Sequence, residues 1–113
     1  MTYIHDMLIV KTSIFTKRIA TCMSDSEYRD LQTVLIQNPE AGDLIMGSGG
    51  LRKMRWSGSG RGKRGGSRII YYWWVPDQVM MLFAYTKNET RDLTPSQIKQ
   101  LRILVEEWLH EKE

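Results

Sequence analysis

Residues 44–76 read LIMGSGGLRKMRWSGSGRGKRGGSRIIYYWWVP: a cation-rich strand pattern, a glycine hinge, then an unbroken aliphatic and aromatic run. The run Ile69 to Val75, IIYYWWV, is apolar at successive positions, so both faces of a strand built from it need cover, which predicts the central strand of a sheet. Upstream, LRKMRW over 51–56 alternates. Leu51, Lys53 and Arg55 fall on one face and Arg52, Met54 and Trp56 on the other, provided that no bulge shifts the register. Pro76-Asp77-Gln78 is a short turn, and the apolar segment 79–86 after it completes an antiparallel hairpin with 68–75. Residues 44–46 predict one further short strand.

Outward from this block the periodicity becomes helical. Met7 to Lys11 predicts a strand, and Thr12 or Ser13 then caps a helix carrying Ile14, Phe15, Ile19 and Met23. Ser24 followed by Glu27 is a capping box, opening a second helix whose apolar positions are Tyr28, Leu31, Val34, Leu35 and Ile36. Pro39 ends it. Thr94-Pro95-Ser96-Gln97 opens a C-terminal helix with an N-cap, proline at the first helical position and glutamine closing the box. Ile98, Leu101, Leu104, Val105, Trp108 and Leu109 make the stripe that packs it on the sheet. The order is strand, two helices, three or four strands, helix, in one domain spanning 1–113: a compact α+β fold.

Charge separates along the chain in a way that the net value of +3 conceals. No acid lies between Asp43 and Asp77, whereas Arg52, Lys53, Arg55, Arg61, Lys63, Arg64 and Arg68 all do. Those seven of 16 Lys and Arg leave nine elsewhere against all 13 Asp and Glu, a basic strip in a mildly acidic body. Such asymmetry points to a polyanionic partner. No apolar stretch approaches the roughly 20 residues that span a bilayer, and the N-terminus lacks a basic leader and cleavage site, so no membrane partner is expected. The one cysteine, Cys22, cannot form an internal disulfide, which fits the cytoplasm, and reads as a small core filler. His5 and His110 lie near opposite ends, which supports neither a metal site nor a histidine-based catalytic pair.

The hinge contains a formal GxGxxG at Gly60, Gly62 and Gly65, but a strand follows it where a dinucleotide fold needs a helix. Ser57 stands where a P-loop needs its first glycine, and Arg64 where it needs Ser or Thr. No nucleotide cofactor is expected. The hinge reads instead as a basic loop, with Arg61, Lys63 and Arg64 placed to dock on nucleic acid. Lys53 and Arg55 project side by side from a rigid strand, with Arg68 placed to face them from the next. Three cations with no acid on either strand repel one another, and a polyanion relieves that repulsion; crowding also lowers a lysine pKa. Lys87, after the last strand, emerges near the same face. The aromatics of the central strand are expected in the core, though bases could stack on them.

GGLRKMRW, the basic glycine loop, GSRIIYYW and YTKNE, in this order, resemble the RelE/ParE superfamily of toxins, and within it the HigB type. SDSEY at the second helix and the terminal helix extend the resemblance over nearly the whole chain. The resemblance implies a RelE-like fold, with a twisted, largely antiparallel sheet of four to five strands, two N-terminal helices and a C-terminal helix. It also implies a metal-independent, ribosome-dependent endoribonuclease that cuts mRNA in the A site and needs no cofactor. The implied partners are the ribosome, mRNA and a neighbouring antitoxin of helix-turn-helix type. Carried over, Arg68 matches the arginine that binds the scissile phosphate, Lys53 and Arg55 the basic pair of the preceding strand, and Lys87 the lysine after the last strand. Arg52 competes with that pair if the register slips. RelE itself has an arginine where Asn88 stands and a catalytic tyrosine in its C-terminal segment, and this chain has no tyrosine after Tyr85. Two other readings share the scaffold: a ParE-like toxin that poisons DNA gyrase without cutting RNA, and an inert RNA-binding module.

Overall fold

A computed structural model describes residues 7–57, 66–74 and 76–111. In chain order the elements are β1 (Leu8–Lys11), α1 (Ser13–Cys22), α2 (Asp25–Gln37), β2 (Asp43–Leu44), β3 (Leu51–Trp56), β4 (Ser67–Trp74), β5 (Gln78–Thr86) and α3 (Pro95–Glu111). They build one sheet in the order β1-β5-β4-β3-β2, antiparallel throughout except for the parallel pair β1 and β5. This is the α+β fold that the order of elements predicted and the RelE-like architecture that the resemblance implied, with five strands.

β4 is central because both of its faces are buried. Ile69 and Tyr71 enter one core with Phe15 and Ile19 of α1 and Leu31 and Leu35 of α2. Ile70 enters the other, with Leu51, Met80 and Leu82 from the sheet and Leu101 and Val105 of α3. The sheet thus separates two apolar layers, α1 and α2 on one side and α3 on the other. At the far end Trp74 meets Trp108 of α3 edge-on, with ring centroids 6.0 Å apart.

The helix starts follow their caps. The Ser24 hydroxyl accepts from the Glu27 amide while the Glu27 carboxylate accepts from the Ser24 amide. Thr94 and Gln97 do the same at α3. Two expectations fail at the margins. The strand expected over 44–46 pairs only at Asp43 and Leu44, because the chain turns back to β3 there. The Ser48 hydroxyl closes that turn, donating to Ile45 O at 2.6 Å and accepting from the Leu51 amide at 3.0 Å, while Gly50 holds a φ of 108°. Ile36 lies on the outer face of α2 and is exposed. His5, Val75 and the hinge residues Arg61, Lys63 and Arg64 lie outside the described residues.

β5 carries the one irregularity in the ladder. Tyr71 pairs with Met81 but Ile70 with Phe83, so Leu82 is an extra residue in a β-bulge. Beyond Met81 the outer edge of β5 has no strand beside it, since β1 ends at Lys11. α1 supplies the missing partners. The Thr12 hydroxyl donates to Leu82 O at 3.0 Å, the Thr12 amide donates to Met81 O at 3.1 Å, and Arg18 Nε donates to Ala84 O at 2.9 Å. The same Thr12 oxygen accepts from the Phe15 amide as the N-cap of α1.

Thr12→Val keeps the shape but removes the cap and leaves the Leu82 carbonyl unpaired. A loss of about 1–3 kcal/mol in urea unfolding is expected, with most of it recovered in Thr12→Ser. Equal stability of Thr12→Val and the natural chain contradicts this account of the bulge.

Candidate functional site

β3 and β4 pair in register without a shift, so the alternation read from LRKMRW holds. Leu51 enters the core under α3, and Lys53 and Arg55 follow on that same face. Arg68 is the direct cross-strand partner of Arg55, and Tyr85 of β5 is the partner of Arg68. Arg55, Arg68 and Tyr85 therefore make one row across three strands, with neighbouring Cβ atoms about 4.5–5.5 Å apart. Lys53 starts the next row, ahead of Ile70 and Phe83. The apolar rows beyond, Leu51 with Tyr72 and Met80, pack with α3, so the cations stand on a rigid base at the end of a buried face.

Arg52 points to the opposite layer. Its guanidinium donates to Gly42 O at 2.7 Å and stands 4.0 Å from the Glu40 carboxylate. Alongside, the Tyr71 hydroxyl donates to Pro39 O and accepts from the Gly42 amide. Arg52 thus closes the turn after α2, away from Lys53 and Arg55. Lys87 is exposed in the turn after β5, and its amide donates to Gly66 O at 3.2 Å, which ties that turn to the start of β4.

Two contributors to this face were not foreseen. The first is Tyr85, 1% exposed, whose buried hydroxyl has no hydrogen-bond partner among the described residues. Burial pushes its pKa up, as does the Asp92 carboxylate, while Arg68 and Arg55 pull it down. The hydroxyl therefore remains an O–H donor at neutral pH. The bulge at Leu82 is what brings Tyr85 here; strict alternation from Met80 places Ala84 on this face instead.

The second is Asp92, and it corrects the expectation of a cation cluster without an acid. Lys53 Nζ donates to Asp92 Oδ1 at 2.7 Å, from a loop far along the chain. The hydrogen bond and charge of Lys53, joined by Arg55 and Arg91, hold the Asp92 carboxyl below its usual range. Arg55 and Arg68 form no ion pair among the described residues.

Cys22 packs half-buried beside the α1 and α2 core, and burial pushes its thiol pKa up, which is the behaviour of a filler and not of a nucleophile. Among the described residues no group of His, Cys, Asp and Glu is arranged to hold a metal ion, and no helix is long and apolar enough to cross a membrane. The face can bind anions and donate hydrogen bonds to them. It offers two guanidinium groups and an ammonium from two adjoining strands, with the buried Tyr85 hydroxyl in the same row on the third.

The family model of the RelE toxin of the RelE/RelB toxin–antitoxin system matches residues 7–113.

Glu89 fixes the turn that carries Lys87, accepting from the Thr86 amide and hydroxyl and from Arg18. The Arg18 hydrogen bond first, and the Thr86 amide after it, hold its carboxyl at about 2 against an ordinary 4.5. A depressed folded-state pKa contributes stability above the unfolded value and loses it as pH falls through the folded one. The stability difference between the natural chain and Glu89→Gln is therefore expected to be full above pH 4.5 and to fade as pH falls to about 2. Denaturant melts across that range check it; a difference that does not change with pH contradicts it.

Proposed function

The chain belongs to the RelE toxin family and is the toxin of a toxin–antitoxin pair, with a cognate antitoxin as partner; from that premise we propose that it is a ribosome-dependent mRNA endonuclease of the HigB type. The carrying observation is the row of Arg55, Arg68 and Tyr85 beside Lys53 on the α3-side face of the sheet. The order of GLRK, the basic glycine loop, GSRIIYY and YTKNE supports the HigB type. The setting is the cytoplasm, and the partners are mRNA in the ribosomal A site and an antitoxin of helix-turn-helix type.

In the proposed reaction the 2′-hydroxyl oxygen bonds to the adjacent phosphorus and the bond to the 5′ oxygen breaks. The first oxygen gives its proton to water and the second takes one from its general acid, leaving a cyclic phosphate and a 5′-hydroxyl. Arg68 and Arg55 stabilise the charge that grows on the non-bridging oxygens, and the Tyr85 hydroxyl adds a neutral donor beside them. Lys53 acts as an electrostatic donor rather than as the base. Lys87 is the candidate to protonate the leaving oxygen. Arg61, Lys63 and Arg64 serve docking on ribosomal or messenger RNA. No histidine stands among these groups, so acid–base catalysis is weak and much of the acceleration falls to orientation, which the ribosome supplies.

Arg68→Ala is expected to lower mRNA cleavage by about 10²–10³-fold and to abolish growth arrest, with Arg68→Lys recovering a part. Mapping mRNA ends after induction, with translation on and then blocked, is the measurement. Cuts that persist without translation remove ribosome dependence, and growth arrest with DNA damage but no cuts favours gyrase poisoning. Tyr85→Phe is expected to lower cleavage by about 10²-fold. It should cost no stability, because the hydroxyl that it removes is unpaired in the fold.

A further inference from the structure

We infer that Asp92 is an internal stand-in for the substrate phosphate: in the free protein its carboxylate occupies the cation cluster, and an RNA phosphate binds there by displacing it. The inference rests on the reading of this face as an RNA-binding surface and adds a competitor built into the chain.

Position is the first support. The carboxylate accepts from Lys53 at 2.7 Å, and Lys53 stands two residues from Arg55 on β3, one row from Arg55, Arg68 and Tyr85. It thus lies over the corner where the Lys53 row meets the row of Arg55, Arg68 and Tyr85. A phosphate bound there meets the same ammonium and the same row. Delivery is the second support. The Thr90 hydroxyl donates to Asp92 O at 3.1 Å, Leu93 packs into the α3-side core, and Thr94 caps α3. The residues on either side are anchored, so the carboxylate is presented to the face.

Exposure shows that the contact is made to be broken. The Asp92 side chain is 69% exposed against 24% for Lys53. A pair this open to water contributes little to stability, and its carboxylate can swing into solvent without leaving a buried group unpaired. Asp92 neutralises Lys53 alone and leaves Arg55 and Arg68 free to make the first contact with RNA. The consequence is discrimination. A free RNA strand, held only by charge, competes poorly with a tethered carboxylate. A strand already fixed on the ribosome pays little entropy to displace it.

The probe is a short single-stranded RNA with 2′-O-methyl groups, which cannot be cleaved, titrated against the full chain over a range of salt. Asp92→Asn is expected to bind about two- to fivefold tighter, the equivalent of an exposed ion pair. Its plot of log affinity against log salt should keep nearly the slope of the natural chain, because the same phosphate meets Lys53 in both complexes. Asp30→Asn, the same charge change on exposed α2 across the sheet, controls for net charge and should bind as the natural chain does. In a Lys53→Ala background Asp92→Asn should gain nothing. The inference is overturned if Asp92→Asn binds no tighter than Asp30→Asn, or if its gain survives without Lys53. If Lys53→Ala, Arg55→Ala and Arg68→Ala all leave the binding of the natural chain unchanged, the RNA-binding reading of the face falls, and this inference with it.

Discussion

The hydroxyl of Thr12 holds the sheet and the first helix in one arrangement. It accepts from the Phe15 amide as the cap of α1 and donates to the carbonyl of Leu82, the extra residue in β5. A bulge costs a ladder partner, and here a helix cap supplies that partner without a further strand. The gain is a change of face. Before the bulge Met80 lies under α3 and Met81 under α1 and α2; after it Ala84 lies under α1 and α2 and Tyr85 on the α3 side. One residue of slip moves every later side chain to the other face, so the chemistry of the β5 end depends on a contact made by the opposite layer.

The cations gain their rigidity from apolar neighbours. Lys53 and Arg55 continue a strand whose Leu51 is fully buried, and Arg68 is the second residue of a strand whose next three, Ile69, Ile70 and Tyr71, are fully buried. Like charges opposite one another in a ladder destabilise a sheet, and the Arg55–Arg68 pair is such a case. It persists because burial of the rest of β4 on both faces is worth far more than the repulsion of two partly solvated guanidinium groups, roughly 1.5–3 kcal/mol for each large apolar side chain. The repulsion that remains is what an incoming phosphate relieves.

Much of this was legible in the sequence because it is local. The capping boxes at Ser24 and Thr94, the alternation of LRKMRW and the two-sided apolar run of β4 each lie within a few residues, and each folds as read. The bulge was not legible, since VMMLFAY from 79 to 85 is apolar or aromatic at every position and offers no polar face from which to detect a slip. Tyr85 was missed for that reason alone. Asp92 was missed because its partner lies 39 residues away, and only the packing of Leu93 and the start of α3 bring the two together. The opposite placement of Arg52 was legible by parity, but its role in closing the turn at Gly42 depends on Tyr71 from β4, again a distant partner.

The segment from Tyr85 to Thr94 shows how one short stretch serves fold and site together. Its two acids face different ways. Glu89 turns toward α1, where Arg18 also bonds the Ala84 carbonyl, and so ties the end of β5 to the layer that holds the bulge. Asp92 turns toward β3 and meets Lys53. Glu89 has three donors around it, from Arg18 and the Thr86 amide and hydroxyl; Asp92 has one, from Lys53. The number of partners separates the roles. A carboxylate bonded from several directions cannot leave without disturbing the turn, whereas one held by a single flexible lysine can leave by a rotation about its own side chain. The first fits an anchor and the second a group that yields its place to a phosphate.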